Sequence, residues 1–239
     1  MKMHFLTNLA IAAALSLFSG ASNAGITLDV TRVILAAPKQ EASILVINQE
    51  SEHIMIQSWV DSANVNAEQD IPFAITPSLN RLDGNQRKLL RIFYYGQGLP
   101  TDRESAFRLN VQEVPQKSKS ENSLQIAVRQ RIKLFYRPVN LKGSADEAPN
   151  ELGWRMVLKD GKPDLKVKND SAFHVSFGTV NIQSGSSIYP IPAKMIPPYT
   201  SQSFTIEGAS SALSGTAKIE FESINDNGEV VHHSSNISN

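Results

Sequence analysis

The chain has 239 residues, with 23 Lys and Arg against 23 Asp and Glu, five His and no cysteine. The lack of cysteine excludes thiol catalysis, Cys-ligated zinc and disulfides. The even charge balance lacks the basic excess that a nucleic-acid binder needs.

The first 24 residues read as a secretory signal peptide. MKMH supplies a basic start, LAIAAALSLF (Leu9–Phe18) an apolar run, and Ser22 and Ala24 small residues at −3 and −1. That run is too short to span a bilayer, which needs roughly 20 residues. The mature chain is therefore expected to start near Gly25. Its loss of Lys2 leaves 22 basic against 23 acidic residues. No later stretch reads as a membrane span, and membrane insertion is not expected. The remaining length suits one large or two small domains, whose cores must hold the fold without disulfides.

From Gly25 to Pro138 the pattern predicts strands at Ile26–Leu35, Ala42–Asn48, His53–Val60, Phe73–Thr76, Arg87–Tyr94, Ala106–Val114 and Leu124–Tyr136. β-Branched and aromatic residues are enriched there, and no helix-length 3.6-residue period occurs, so a β-sandwich is expected. Pro72, Pro77, Pro100 and Pro115 fall between or at the ends of these runs, where a missing N–H costs no ladder bond.

The last run, LQIAVRQRIKLFYRP (Leu124–Pro138), alternates with period two. Leu124, Ile126, Val128, Ile132 and Leu134 share one parity; Arg129, Arg131, Lys133 and Arg137 share the other. At about 3.3 Å per residue it would reach roughly 40 Å, about twice the usual strand length. A strand that long outruns the core meant to cover it.

Val139–Asn150 (VNLKGSADEAPN) is polar and reads as a linker. A second strand series follows at Trp154–Lys159, Asp164–Asn169, His174–Gln183, Gln202–Ile206, Ala217–Ile224 and Val230–Ser234. Asp160-Gly161 and Asn227-Gly228 lie between paired runs and suit tight hairpin turns.

Enzymatic chemistry is not predicted. No G-x-S-x-G, phosphate-binding glycine loop or H-E-x-x-H occurs, and no cofactor or metal is expected. His232 and His233 point to opposite faces of one strand and cannot converge on a metal, which leaves them as edge-strand surface residues. Two cations do stand out in apolar strands, Arg32 in ITLDVTRVIL and Lys133 in RIKLFY. Burying an unpaired cation costs several kcal/mol. Either their tips are solvated, or they form a two-pronged anion site suited to a carboxylate.

LDVTR (Leu28–Arg32), QSWVD (Gln57–Asp61), FAITPSLNRLDGNQRKLLRI (Phe73–Ile92), LPTDRESAFRLNVQEVP (Leu99–Pro115) and IKLFYRP (Ile132–Pro138) together resemble the periplasmic PapD-like pilus-assembly chaperones. The resemblance covers nearly all of the mature chain. It implies an all-β fold of two immunoglobulin-like β-sandwich domains in a boomerang, at residues 25–140 and 151–239 with a linker at 141–150. It also implies a periplasmic, non-enzymatic chaperone. Such a protein lends its G1 strand to a pilus subunit that lacks its last strand, then delivers the subunit to an outer-membrane usher.

Residue by residue, the resemblance makes Leu124, Ile126 and Val128 the apolar donors to the subunit. Arg32 and Lys133 become the clamp for its C-terminal carboxylate, and Glu104, Arg137 and Asp226 an interdomain ion network. The short polar connection PQKSKSENS (Pro115–Ser123) resembles the branch that builds rod-like pili. Arg108 stands where the family often has an aromatic residue, and NDSAFHV (Asn169–Val175) lacks the family's usual prolines. Because Lys133 has opposite parity to the donor residues, a strong twist or a bulge near Arg129–Arg131 is expected. The alternative function is a two-domain immunoglobulin-like surface or adhesive protein. Self-association of the free protein, shielding its apolar G1 residues, is left open.

Overall fold

The computed structural model describes residues 25–63, 71–115, 126–159, 162–192, 194–209 and 217–237. The predicted leader, PQKSKSENS beyond Pro115, Leu124 and the Asp160-Gly161 dipeptide lie outside the described residues. Among those described there is no α-helix; strands form two sandwiches.

The first sandwich uses β1 (Ile26–Leu28), β2 (Arg32–Ala36), β3 (Glu41–Asn48), β4 (Ile54–Ser62), β5 (Phe73–Thr76), β6 (Leu79–Leu82), β7 (Arg87–Tyr94), β8 (Ser105–Val114) and β9 (Arg129–Arg137). One sheet has the order β1-β3-β7-β5 and the other β2-β9-β8-β4-β6. Period-two alternation turns Ile44, Val46, Leu90, Ile92, Phe107, Leu109 and Leu134 into the space between them, where they are buried. Each such side chain stabilises the fold by about 1.5–3 kcal/mol before entropy costs, so the core can hold without disulfides.

Two predicted strands of this sandwich differ. Ile26–Leu35 is not one strand, because residues 29–31 carry the chain from the first sheet to the second. Asp29 ends β1 there: its carboxylate accepts from the Leu45 N–H (2.9 Å), while its own N–H donates to the Leu45 carbonyl (3.2 Å). The predicted Leu124–Tyr136 strand begins instead at Arg129. Before it, Val128 is tied to β8 by the Glu113 N–H donating to its carbonyl (2.9 Å), but residues 126–128 form no regular ladder.

The expected bulge does not occur. β8 and β9 pair without a break from Gln112↔Arg129 to Ser105↔Tyr136. Val128, Ile132 and Tyr136 pack toward the domain's own core. Arg129, Arg131 and Lys133 have the opposite parity and lie on the outer face of the sheet.

The second sandwich uses β10 (Gly153–Lys159), β11 (Lys162–Asn169), β12 (Phe177–Ser184), β13 (Ser187–Pro190), β14 (Thr200–Thr205), β15 (Lys218–Ile224) and β16 (Val230–Asn236). Its sheets run β10-β11-β14 and β13-β12-β15-β16. Trp154 packs on Phe221 at 5.1 Å, amid buried Leu165, Val167, Ile182, Ile196 and Ile219. Residues 148–151 form a 3-10 turn whose Ala148 and Pro149 are buried; Ala148 belongs to this second core.

The turn joining β15 to β16 meets the first domain. Gly228 has φ +86°, a conformation that favours glycine, and a side chain there would meet Thr31 Oγ1. The predicted Asn227-Gly228 turn is therefore also a domain contact, set beside Arg32.

Candidate functional site

β2 begins at Arg32, and from there it pairs with β9 in parallel, Arg32 opposite Lys133 through Ala36 opposite Arg137. Opposed residues in a sheet share a face, so the two cations stand side by side on the outer face. Among the described residues no strand pairs with the same edge of β9 over 129–132. β9 thus presents an open edge that stops where Arg32 starts.

Both cations reach the second domain. Arg32 is buried, and its Nη1 donates to the Ile224 carbonyl at 2.8 Å, while its Nε is buried without a hydrogen-bond partner. Burial pulls its pKa down, opposed by the charges of Asp226 and Glu104. Lys133 donates from Nζ to Ser176 Oγ at 2.8 Å. Burial, then the neighbouring charges of Arg32 and Arg108, lower the Lys133 ammonium to about 8. Two crowded cations at a strand end suit an anion chemically.

Glu104, Arg137 and Asp226 come together next to this pair. Arg137 donates from Nε (3.1 Å) and Nη2 (2.8 Å) to Glu104 Oε1, and from Nη1 (2.7 Å) and Nη2 (3.1 Å) to the Asp226 carboxylate. Arg137 and Glu104 belong to the first domain and Asp226 to the second. Burial opposes the Arg137 charge, but hydrogen bonds and charges from Asp226 and Glu104 outweigh it and hold its pKa above the usual range. The other Glu104 oxygen accepts from the His174 backbone N–H and ring Nδ1, both at 2.9 Å. A cavity of about 190 Å³ lies between the domains, lined by Arg32, Glu104, Arg137, His174, Asp226 and His233 among others.

Of the three apolar donor residues, Leu124 lies outside the described residues. Ile126 is 70% exposed, whereas Val128 is partly buried against its own domain's core. Sequence reading missed Ser176, His174 and the Ile224 carbonyl. A serine, a histidine and a backbone oxygen in the second domain carry no signal until the domains are placed. Nor are the two adjacent histidines equivalent surface groups. His233 bonds Ser223 (2.8 Å) and Asn150 (2.9 Å) and stacks on Phe221, while His232 stays exposed.

Comparison with known proteins gives the same family twice. Residues 25–142 match the pili and flagellar-assembly chaperone PapD N-terminal domain, and residues 147–235 the pili assembly chaperone PapD C-terminal domain. The chain is 36% identical over 223 residues to the probable fimbrial chaperone YadV of Escherichia coli strain K12, covering 90% of each. A crystal structure of the YadV chaperone superposes with TM-score 0.78 at 33% identity, over 89% of this chain and 100% of that one. A chain of the Salmonella enterica SafA pilin–SafB chaperone complex matches with TM-score 0.72 at 30% identity, over 89% and 95%. Two sandwiches joined through an ion network, with paired cations at an open strand edge and both family models in order, place this chain in the PapD-like family of pilus-assembly chaperones.

Proposed function

We propose that the chain captures pilus subunits at the open edge of β9 and holds each by its C-terminal carboxylate between Arg32 and Lys133. The observation that carries this reading is the hand-over at Arg32. A guest strand on the edge over 129–132 must end where β2 begins, and an end anchored there by a carboxylate runs parallel to β9, as β2 does. Ladder bonds supply affinity with little demand on sequence, and the clamp supplies direction and register. Ile126, exposed, and Leu124 and Val128 of the same parity are assigned to fill the subunit's open core. At about 1.5–3 kcal/mol per fully buried aliphatic they add several kcal/mol before ordering costs.

A guest added to an edge offers side chains to both faces. Core-side apolar contacts and an outer-face carboxylate therefore need no change of strand parity. The Glu104–Arg137–Asp226 network serves to fix domain orientation, and the domain division stays at residues 25–140 and 151–239 around a linker at 141–150. The similar Salmonella complex pairs a pilin with its chaperone, which supports a subunit as client. Export to the periplasm with cleavage near Gly25, transfer to an outer-membrane usher, and action without a chemical step complete the reading. A role as a surface or adhesive protein has no support in the family match.

The test is co-expression with a pilus subunit and recovery from periplasm. Arg32→Ala and Lys133→Ala should each abolish co-purification; capture at wild-type yield by either variant overturns the clamp.

A further inference from the structure

The outer face of β8 and β9 carries more positive charge than a single carboxylate uses. Cross-strand register places Arg32, Lys133, Arg108 and Asp61 in one row over β2, β9, β8 and β4. The next row on that face holds Arg131, Asn110 and Trp59, and the next Arg129, Gln112 and Gln57. In these three rows five cations thus share the face with one acid. Arg129 Nε donates to Gln112 Oε1 (3.0 Å) and its guanidinium lies 5.0 Å over the Trp59 ring; Arg131 Nε donates to Asn110 Oδ1 (3.1 Å). Asp61 is engaged by Asn110 Nδ2 at 2.9 Å. Neither Arg108, Arg129 nor Arg131 makes an ion pair with any described residue.

Neutral amides and an aromatic ring hold Arg129 and Arg131 in place without cancelling their charge. Such a face repels cationic surfaces and favours an anionic partner. Its position names the partner. Arg129 and Arg131 belong to the residues of β9 whose edge is open, and Arg108 adjoins the carboxylate clamp. We infer that Arg108, Arg131 and Arg129 select pilus subunits whose C-terminal strand carries acidic side chains at its outward-facing, alternate positions, in addition to the terminal carboxylate. This rests on the edge-and-clamp reading above. In parallel pairing a guest strand puts every second side chain on the outer face, alongside Arg129 and Arg131 and toward Arg108 across β9 at its end, while the intervening apolar ones face inward. The face also abuts the second domain, where Lys133 meets Ser176, and a flat anionic membrane cannot enter that re-entrant corner as a strand can.

The test uses three fluorescent synthetic peptides on the mature protein. The first alternates apolar residues with aspartate over its last six positions and ends in a free carboxylate. The second replaces each aspartate by asparagine. The third keeps the aspartates but ends in an amide. Wild-type protein should bind the first about three- to tenfold more tightly than the second at low salt, with the gap closing as salt rises. In Arg129→Gln/Arg131→Gln that gap should disappear while the first peptide still binds more tightly than the third. Equal binding of the first two peptides by wild type, or an undiminished gap in the variant, overturns the inference and leaves the clamp standing. Equal binding of the first and third peptides defeats the clamp itself. Binding to phosphatidylglycerol vesicles that the double substitution abolishes, without peptide discrimination, reassigns the face to a membrane and likewise overturns it.

Discussion

Arg32 and Lys133 are cross-strand neighbours in the first domain, yet each spends its hydrogen bond on the second, Arg32 on the Ile224 carbonyl and Lys133 on Ser176. The proposed anion clamp and the domain junction therefore share the same two side chains. A carboxylate entering between the cations competes with contacts that also bridge the domains.

Subunit binding should depend on pH through Lys133, whose pKa of about 8 lies below its ordinary 10.5. Below pH 8 the ammonium is charged and ready. Above it, a proton must be taken up before a carboxylate can be clamped, so affinity falls by up to about tenfold per unit. Titration of a carboxylate-ended peptide between pH 6.5 and 9.5 should show this decline, and Lys133→Arg, which stays charged throughout, should flatten it.

The same depressed pKa makes Lys133 a burden on the free fold. The unfolded chain binds more protons than the folded one between about pH 8 and 10.5, so this group's cost is full below pH 8 and fades as pH rises toward 10.5. Lys133→Met should thus raise thermal stability at pH 7, by roughly 1 kcal/mol or about 2–4 °C, while eliminating capture. Calorimetry of the free variant checks the sign.

Arg137→Ala should cost far more than Asp226→Asn. Glu104 is only 2% exposed at its side chain, and losing Arg137 strands a buried carboxylate whose remaining hydrogen bonds come from His174, a loss of about 3–5 kcal/mol. Asp226 is 37% exposed, where an ion pair is worth under about 1 kcal/mol. Urea unfolding separates the two; equal losses contradict this assignment.

Glu113 is buried, and burial, then the Glu50 charge, raise its pKa. A side chain at Gly25 would meet the Glu113 carboxylate, so cleavage before Gly25, as proposed, would set an α-ammonium near it. A mature chain starting at Gly25 should melt higher than one with two residues added in front, and Glu113→Gln should erase the difference. A difference that survives Glu113→Gln rules out the pairing.

Much of the fold was legible because strand alternation and turn residues are local signals. Leu90 and Ile92, for example, are buried at alternate positions of RKLLRIFY, as period two requires. The break after Leu28 was not, because Asp29 ends β1 by bonding to Leu45, a contact between segments distant in sequence. The cations of the site were visible as charges inside apolar runs, and resemblance supplied their roles. Arg108 was visible only as a departure, and its meaning came from register, which puts it opposite Lys133. Ser176 and His174 acquire roles only when the second domain is brought against the first. The supposed parity conflict in β9 arose from treating a guest strand as touching one face, whereas an open edge serves both.

Hydrogen exchange at the open edge of β9 distinguishes strand donation from carboxylate binding alone. Amide exchange across residues 126–132 should be measured in the free protein and in complex with a pilus subunit, with residues 218–224 of β15 as an internal reference. Strong slowing over 126–132 is expected in the complex, with little change in β15. Unchanged exchange over 126–132 in a saturated complex would contradict strand donation.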